Sequence, residues 1–316
     1  MEPSTYTPTG PNPASRTPCV LLAGLPRSGT TLVCELLNRL ADARALDEPL
    51  SIFDFAGSAS MEGDVVATDR LCRDIACFAD YQRRSILERG TALSKHVGGR
   101  VSGSLRVQET RNATGSRPSR VESGVIRLTQ PQTGDFTLVI KEPVMFTAML
   151  GSLYRHFPVF AIVRNPLAVL GSWESMPWRT LRTGQLGIPA ELAPEIYGRL
   201  ARLSDPVERR IELLVWHFDR FTALLPRERV IRYEDIVASG GSALSGIVAS
   251  AAGLNVELHA RDAAAIYDLA HLRAVASKLL ERSDTPWEHY YPGGVEELLG
   301  SLPEQQARSA PSAQSM

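Results

Sequence analysis

The chain has only four cysteines in 316 residues, Cys19, Cys34, Cys72 and Cys77, and none is spaced as C-x-x-C. That is too sparse for a disulfide scaffold, and with no histidine or further cysteine clustered near Cys72 and Cys77, these two are expected to pack on a helix as small apolar side chains. No structural or catalytic metal is expected. No apolar run reaches membrane-spanning length, so no membrane association is expected. Charge of one sign is also missing: 34 Lys and Arg against 35 Asp and Glu give a formal net charge of -1. This removes the general electrostatic case for nucleic acid and confines any anion site to a local cluster. Residues 1–17 lack the cationic start and apolar core of a signal peptide. They read as a disordered tail rich in Pro, Thr and Ser, as do residues 303–316 at the other end. A cytoplasmic setting with reduced thiols is the expectation.

What is present suits a large core. With 44% hydrophobic and 22% charged residues, residues 18–302 are expected to form one elaborated domain, with an insertion at about 50–135. Apolar segments at Cys19 to Ala23, Thr137 to Ile140, Val159 to Val163 and Val230 to Arg232, with a short one near Ala43 to Leu46, are each followed by a helical or loop signal. This alternation predicts an α/β fold of three layers, a central parallel β-sheet flanked by helices. Ligands bind such sheets at the carboxyl ends of the strands, where Arg27, Lys141, Arg164 and Tyr233 would emerge together.

Gly24-Leu25-Pro26-Arg27-Ser28-Gly29-Thr30-Thr31 lies between the first strand and a helical pattern from Leu32 to Leu40. Strand, glycine-bounded loop and helix start form a phosphate cradle, because backbone N–H groups turn inward and the helix dipole adds positive potential. This makes the expected fold of the P-loop type. The lysine that follows the second glycine in nucleoside triphosphatases is missing, however, since Thr30 stands there and the cation is Arg27. The loop is therefore expected to hold a phosphate without gripping a triphosphate tail.

Helical spacing predicts an amphipathic helix over Glu208 to Leu225, with Trp216 and His217 packed on it rather than catalytic, and a late helix over Asp262 to Glu281 with Asp262 as its N-cap. The stretch Lys95 to Gly134 carries Lys95, Arg100, Arg106, Arg111, Arg117, Arg120 and Arg127 against few acids. It reads either as a basic substrate-facing lid or hairpin, or as a solvated insertion.

A second motif sharpens the first. Phe160-Ala161-Ile162-Val163-Arg164-Asn165-Pro166 runs from a strand into a turn, and Ser172 follows on the next helix, eight residues after Arg164. An arginine fork and a serine hydroxyl could face one further phosphate. Together the segments resemble the sulfotransferases that use 3′-phosphoadenosine-5′-phosphosulfate (PAPS). The Pro-Arg-Ser-Gly-Thr-Thr loop is closer to the protein-tyrosine and bacterial members than to the cytosolic phenol enzymes, which carry lysine there. The resemblance covers Cys19 to Glu48 and Leu138 to Tyr233, and not the insertion between them. It implies that Arg27, Ser28, Gly29, Thr30 and Thr31 bind the 5′-phosphosulfate and that Arg164 and Ser172 bind the 3′-phosphate.

Leu138-Val139-Ile140-Lys141-Glu142-Pro143 is similar to a third family motif, whose lysine approaches the sulfuryl group. Where the cytosolic members place a histidine base, this chain has Pro143, so the base must come from elsewhere. In the protein-tyrosine enzymes a glutamate beyond the loop serves, and the matching position here is Glu48, with Asp47 in reserve. Without the resemblance, Asp47-Glu48-Pro49 would read as an acidic turn. The implied catalytic set is Arg27, Glu48 and Lys141, moving a sulfuryl group from PAPS to a hydroxyl or amine of a small-molecule acceptor, with 3′-phosphoadenosine-5′-phosphate (PAP) as product. Arg232-Tyr233-Glu234-Asp235-Ile236 also recurs in the family and is expected to be structural. The late Arg-Lys-Gly motif of cytosolic members is absent, and the region of Ser277, Lys278, Arg282 and Trp287 matches it only loosely. Two rival readings stand beside this one: a P-loop kinase with Glu142 and Asp235 as metal ligands, and a nucleotide-binding protein without catalysis. Oligomeric state is not legible.

Overall fold

The first strand, β1 (Cys19–Gly24), is apolar along its length because it is covered on both faces. Leu21 and Ala23 point into one hydrophobic cluster, Val20 and Leu22 into another. The same alternation recurs in the strands that flank β1, so the sheet is the middle of three layers. In a computed structural model that describes residues 19–50, 65–101, 122–128, 134–174, 186–260 and 269–302, the other strands are β2 (Ala43–Asp47), β3 (Thr91–Val97), β4 (Arg100–Val101), β5 (Glu122–Arg127), β6 (Thr137–Lys141), β7 (Val159–Val163) and β8 (Val230–Arg232). Five of them form a parallel sheet in the order β2-β6-β1-β7-β8. One face is packed by the helices Pro143–Ala148, Pro166–Glu174 and Pro206–Leu224, the other by Thr30–Leu37 and Tyr233–Ala238.

This order explains the site's position. β1 lies between β6 and β7, so its carboxyl end opens where the chain leaves on one side toward Lys141 and on the other toward Arg164. Lys141 is level with Leu22 of β1 and Asp47 of β2, while Gly24 is level with Ile162. Such a point, where strand order reverses, is the usual ligand crevice of an open α/β sheet.

The α/β class and the five expected strands are all present, each ending at or within one residue of the sequence reading. The amphipathic helix runs Pro206–Leu224, started by Asp205, whose carboxylate accepts the Val207 N–H at 2.8 Å. The late helix spans Leu269–Leu280, and its expected start and cap at Asp262 lie outside the described residues, as do both tails and Arg106, Arg111, Arg117 and Arg120 of the basic stretch. Cys72 and Cys77 are buried on the helix Val65–Arg89. Trp216 and His217 are packed: the His217 ring bonds Leu213 O at 2.8 Å, and burial lowers its pKa to about 4.

The described ends of the basic stretch belong to a three-stranded antiparallel sheet in the order β4-β3-β5; residues 102–121, on which its reading as a substrate-facing lid or hairpin or as a solvated insertion turns, lie outside the described residues. β3 pairs with β5, Lys95 opposite Ser123, and with β4 on its other side. Gln82, on the helix Val65–Arg89, accepts the Leu93 N–H at 2.8 Å, and Ser94 Oγ accepts the Asp47 N–H at 2.9 Å. The small sheet is thereby pinned against the end of the edge strand β2. No described helix is long and apolar enough to cross a membrane.

Candidate functional site

The loop after β1 is shaped by two glycines that nothing else could replace. Gly24 has φ 153°, and a Cβ there would lie 2.7 Å from Ile162 O. Gly29, the residue before the helix Thr30–Leu37, has φ 94°, and its Cβ would strike the Tyr233 ring at 2.5 Å. Between them Ser28 is fully buried. Its hydroxyl lies 2.7 Å from Leu25 O and 2.8 Å from Ile162 O, and its N–H donates to Leu25 O at 3.1 Å. Ser28 is thus occupied in holding the loop closed. The first N–H groups of the helix that follows have no intrahelical acceptor and present the positive end of the dipole.

Three of the residues singled out in sequence meet beside this loop. Arg27 Nε donates to Ser172 Oγ at 3.2 Å, and Arg164 donates to Arg27 O at 3.2 Å. The Arg164 guanidinium stacks over the Tyr233 ring at 4.6 Å, the same ring that abuts Gly29. Trp173 Nε1 donates to Pro26 O at 2.9 Å, which ties the helix Pro166–Glu174 to the loop. The sequence reading gave no part to Trp173; its place next to Ser172 was the available signal.

The second half of the site is a chain of charges. Lys141 Nζ donates to Asp47 Oδ1 at 2.6 Å, to Glu48 Oε1 at 2.8 Å and weakly to Thr31 Oγ1 at 3.5 Å. Glu48 Oε2 takes a further ion pair from Lys95. Lys141 and Asp47 are almost fully buried, whereas the Glu48 side chain keeps 28% of its surface and Lys95 36%. Burial favours the neutral carboxyl of Glu48, but Lys141 and then Lys95 outweigh it and bring its pKa down to about 2. Burial likewise opposes the Lys141 charge, and Glu48 and Asp47 overcome this and hold the ammonium above its ordinary range. Glu142 differs: burial first, and the Glu48 charge second, push its carboxyl well above the ordinary value. Its Oε1 accepts the Leu50 N–H at 2.8 Å.

Among the described residues, Arg27 (φ 70°) and Glu48 (φ 43°) are the two non-glycine residues with positive φ. Left-handed backbone costs a bulky residue energy, and such outliers gather at functional sites. Sequence reasoning had singled out both, but it missed Lys95 as a partner of Glu48. The alternating Thr91-Ala92-Leu93-Ser94-Lys95-His96-Val97 was the signal that could have marked the strand delivering it.

The segment Arg232 to Ile236 ties strand ends together as well as placing Tyr233 against the loop. Glu234 accepts the Asn165 N–H at 3.0 Å and the Tyr291 hydroxyl at 2.6 Å, and Asn165 donates to Gly294 O at 2.6 Å. Lys278 and Arg282 pair with Asp205, Glu208, Glu212 and Asp284, bracing one helix against another. Among the described residues no group of three or more His, Cys, Asp or Glu side chains is arranged to hold a metal ion.

No family model matches the chain, and no curated protein matches it. Solved structures that it resembles include a sulfotransferase from Alicyclobacillus acidocaldarius, at 14% identity and TM-score 0.34, with 83% of this chain and 94% of that one covered. Another is the sulfotransferase domain of the Synechococcus PCC 7002 olefin synthase, at 13% identity and TM-score 0.36, with 93% of this chain and 98% of that one covered. A third, a sulfotransferase from Mycobacterium avium, has 14% identity and TM-score 0.31, covering 85% of this chain and 69% of that one.

Proposed function

We propose that the chain is a PAPS-dependent sulfotransferase that moves a sulfuryl group to a hydroxyl or amine of a small-molecule acceptor. The observation that carries the reading is the meeting of Arg27, Ser172 and Arg164 at the phosphate loop, through contacts of 3.2 Å between segments about 140 residues apart in sequence. A serine and two arginines at a glycine-shaped loop are suited to two separate phosphates of one nucleotide. Folding alone does not require that convergence.

In the proposed reaction the N–H groups of Gly29, Thr30 and Thr31 hold the 5′-phosphate, while Arg164 and Ser172 take the 3′-phosphate. Ser28 supports the loop through its buried contacts with Leu25 and Ile162 rather than by reaching the donor. The bond from sulfur to the phosphate oxygen breaks as the bond from sulfur to the acceptor oxygen, or nitrogen for an amine, forms. Arg27 and Lys141 stabilise the charge on the leaving and transferring oxygens, and the acceptor proton passes to Glu48. Before the donor arrives, Lys141 is engaged with Asp47 and Glu48. A phosphosulfate at the loop competes for that ammonium, and as Lys141 turns toward it Glu48 loses one of its two cations and gains basicity.

The test is transfer of labelled sulfuryl from PAPS to a panel of phenols, alcohols and amines. Product that depends on PAPS, without magnesium, is expected. Phosphorylated product from magnesium-ATP, with none from PAPS, would replace this reading with the kinase alternative.

A further inference from the structure

Glu48 needs a rigid mount if it is to meet an acceptor, since its backbone is in the left-handed region and its side chain remains partly open to solvent. Two adjacent residues of β3 grip two adjacent residues at the end of β2. Ser94 Oγ accepts the Asp47 N–H, and Lys95 pairs with the Glu48 carboxylate. Glu48 thereby divides its oxygens, Oε1 to Lys141 and Oε2 to Lys95, while its own N–H donates to Lys141 O at 2.9 Å.

We propose that Lys95, delivered by the central strand β3 of the small antiparallel sheet, is a positioning residue for the reaction, fixing the Glu48 carboxylate and keeping it ionised when Lys141 turns to the donor. This rests on the reading of Glu48 as the base. The two lysines are not equivalent. Lys141 is buried at the strand end beside Thr31 of the phosphate loop, and Lys95 is half-exposed on the side of the small sheet. One cation can thus leave for the phosphosulfate while the other stays. Among the described residues, the other groups facing this ion pair are Asp47 from β2, Glu142 from the end of β6 and, from the helix Thr30–Leu37, the buried Cys34 thiol and Thr31, which lies by Lys141. Among the described residues none of these supplies a second positive charge, so Lys95 is the cation left beside the carboxylate when Lys141 turns away.

The test uses the intact chain with carbon-13-labelled glutamate side chains, the Glu48 signal being identified by its loss in Glu48→Gln. Lys95 is half-exposed, so Lys95→Met and Lys95→Arg are expected to fold. Lys95→Met is expected to raise the Glu48 titration midpoint by about one unit or more, the size expected for removing a neighbouring opposite charge. The shift should be larger with PAP bound, and Lys95→Arg should restore the wild-type midpoint. PAP affinity should stay within about twofold of wild type, because Lys95 does not reach the loop. A midpoint that Lys95→Met leaves unmoved, with and without PAP, would overturn the proposal. If no variant and no wild-type protein binds PAP, the sulfotransferase reading fails instead, and the nucleotide-free titration still decides whether Lys95 controls Glu48.

Discussion

At the scale of single residues, Arg27 and Lys141 are both cations near the proposed sulfuryl position, but the structure separates what their loss would do. Arg27 projects from a loop fixed by Ser28, Gly29 and Trp173, so Arg27→Ala should fold as wild type. Its turnover should fall about 10²–10³-fold, the loss typical of one transition-state donor. Lys141→Ala removes a buried ion-pair partner of both Asp47 and Glu48 and should cost about 3–5 kcal/mol of stability, the penalty for breaking a buried ion pair. Thermal unfolding beside turnover distinguishes them; an unchanged melting temperature in Lys141→Ala would show that the buried pair with Lys141 does not stabilise the fold. Glu142 provides a pH test. Its folded-state pKa is raised, so its contribution to stability is full below the ordinary value of 4.5 and is lost as pH rises through the folded value. Glu142→Gln keeps an acceptor for Leu50 and has no proton to lose. The variant should be more stable than wild type near neutrality, and the gap should close as pH falls below about 4.5. A gap that does not change with pH would contradict this.

Among the elements, the strands covered on both faces were the most legible, because a continuous apolar run such as Val159–Val163 has few alternatives once helices cover both sides of a sheet. Pro206–Leu224 was equally clear from its spacing and from Asp205 before Pro206. Asp205→Ala should lower stability by about 1 kcal/mol through the lost cap. A somewhat larger loss is expected if the contact of Asp205 with Lys278 matters, and chemical denaturation of the single and double variants would measure that coupling. The small antiparallel sheet was harder to read. β3 alternates as a strand should, but its half-buried pattern lies beside glycines and basic residues that equally suit a solvated loop. The Lys95 to Glu48 pair spans 47 residues between two sheets, and local pattern carries no information about such a pairing.

For the whole molecule, the candidate site was legible to the extent that it is local. The glycine-bounded loop Gly24 to Thr31 and the Arg164 to Ser172 spacing stood out because short backbone motifs at strand ends dictate their own residue types. The charge chain Asp47, Lys141, Glu48, Lys95 was legible only in part, since it exists where β2, β6 and the small sheet come together. What the three layers achieve is to bring the loop Gly24 to Thr31, the segment Arg164 to Ser172 and this charge chain to one end of a single parallel sheet. That arrangement is tested most directly by calorimetric binding of PAP beside ADP and ATP, without magnesium and then with it. Tight, metal-independent binding of PAP that weakens sharply when the 3′-phosphate is absent, and that weakens for PAP in Arg164→Ala, is the expected result. Preferential binding of magnesium-ATP, or equal affinity for PAP and ADP, would contradict it.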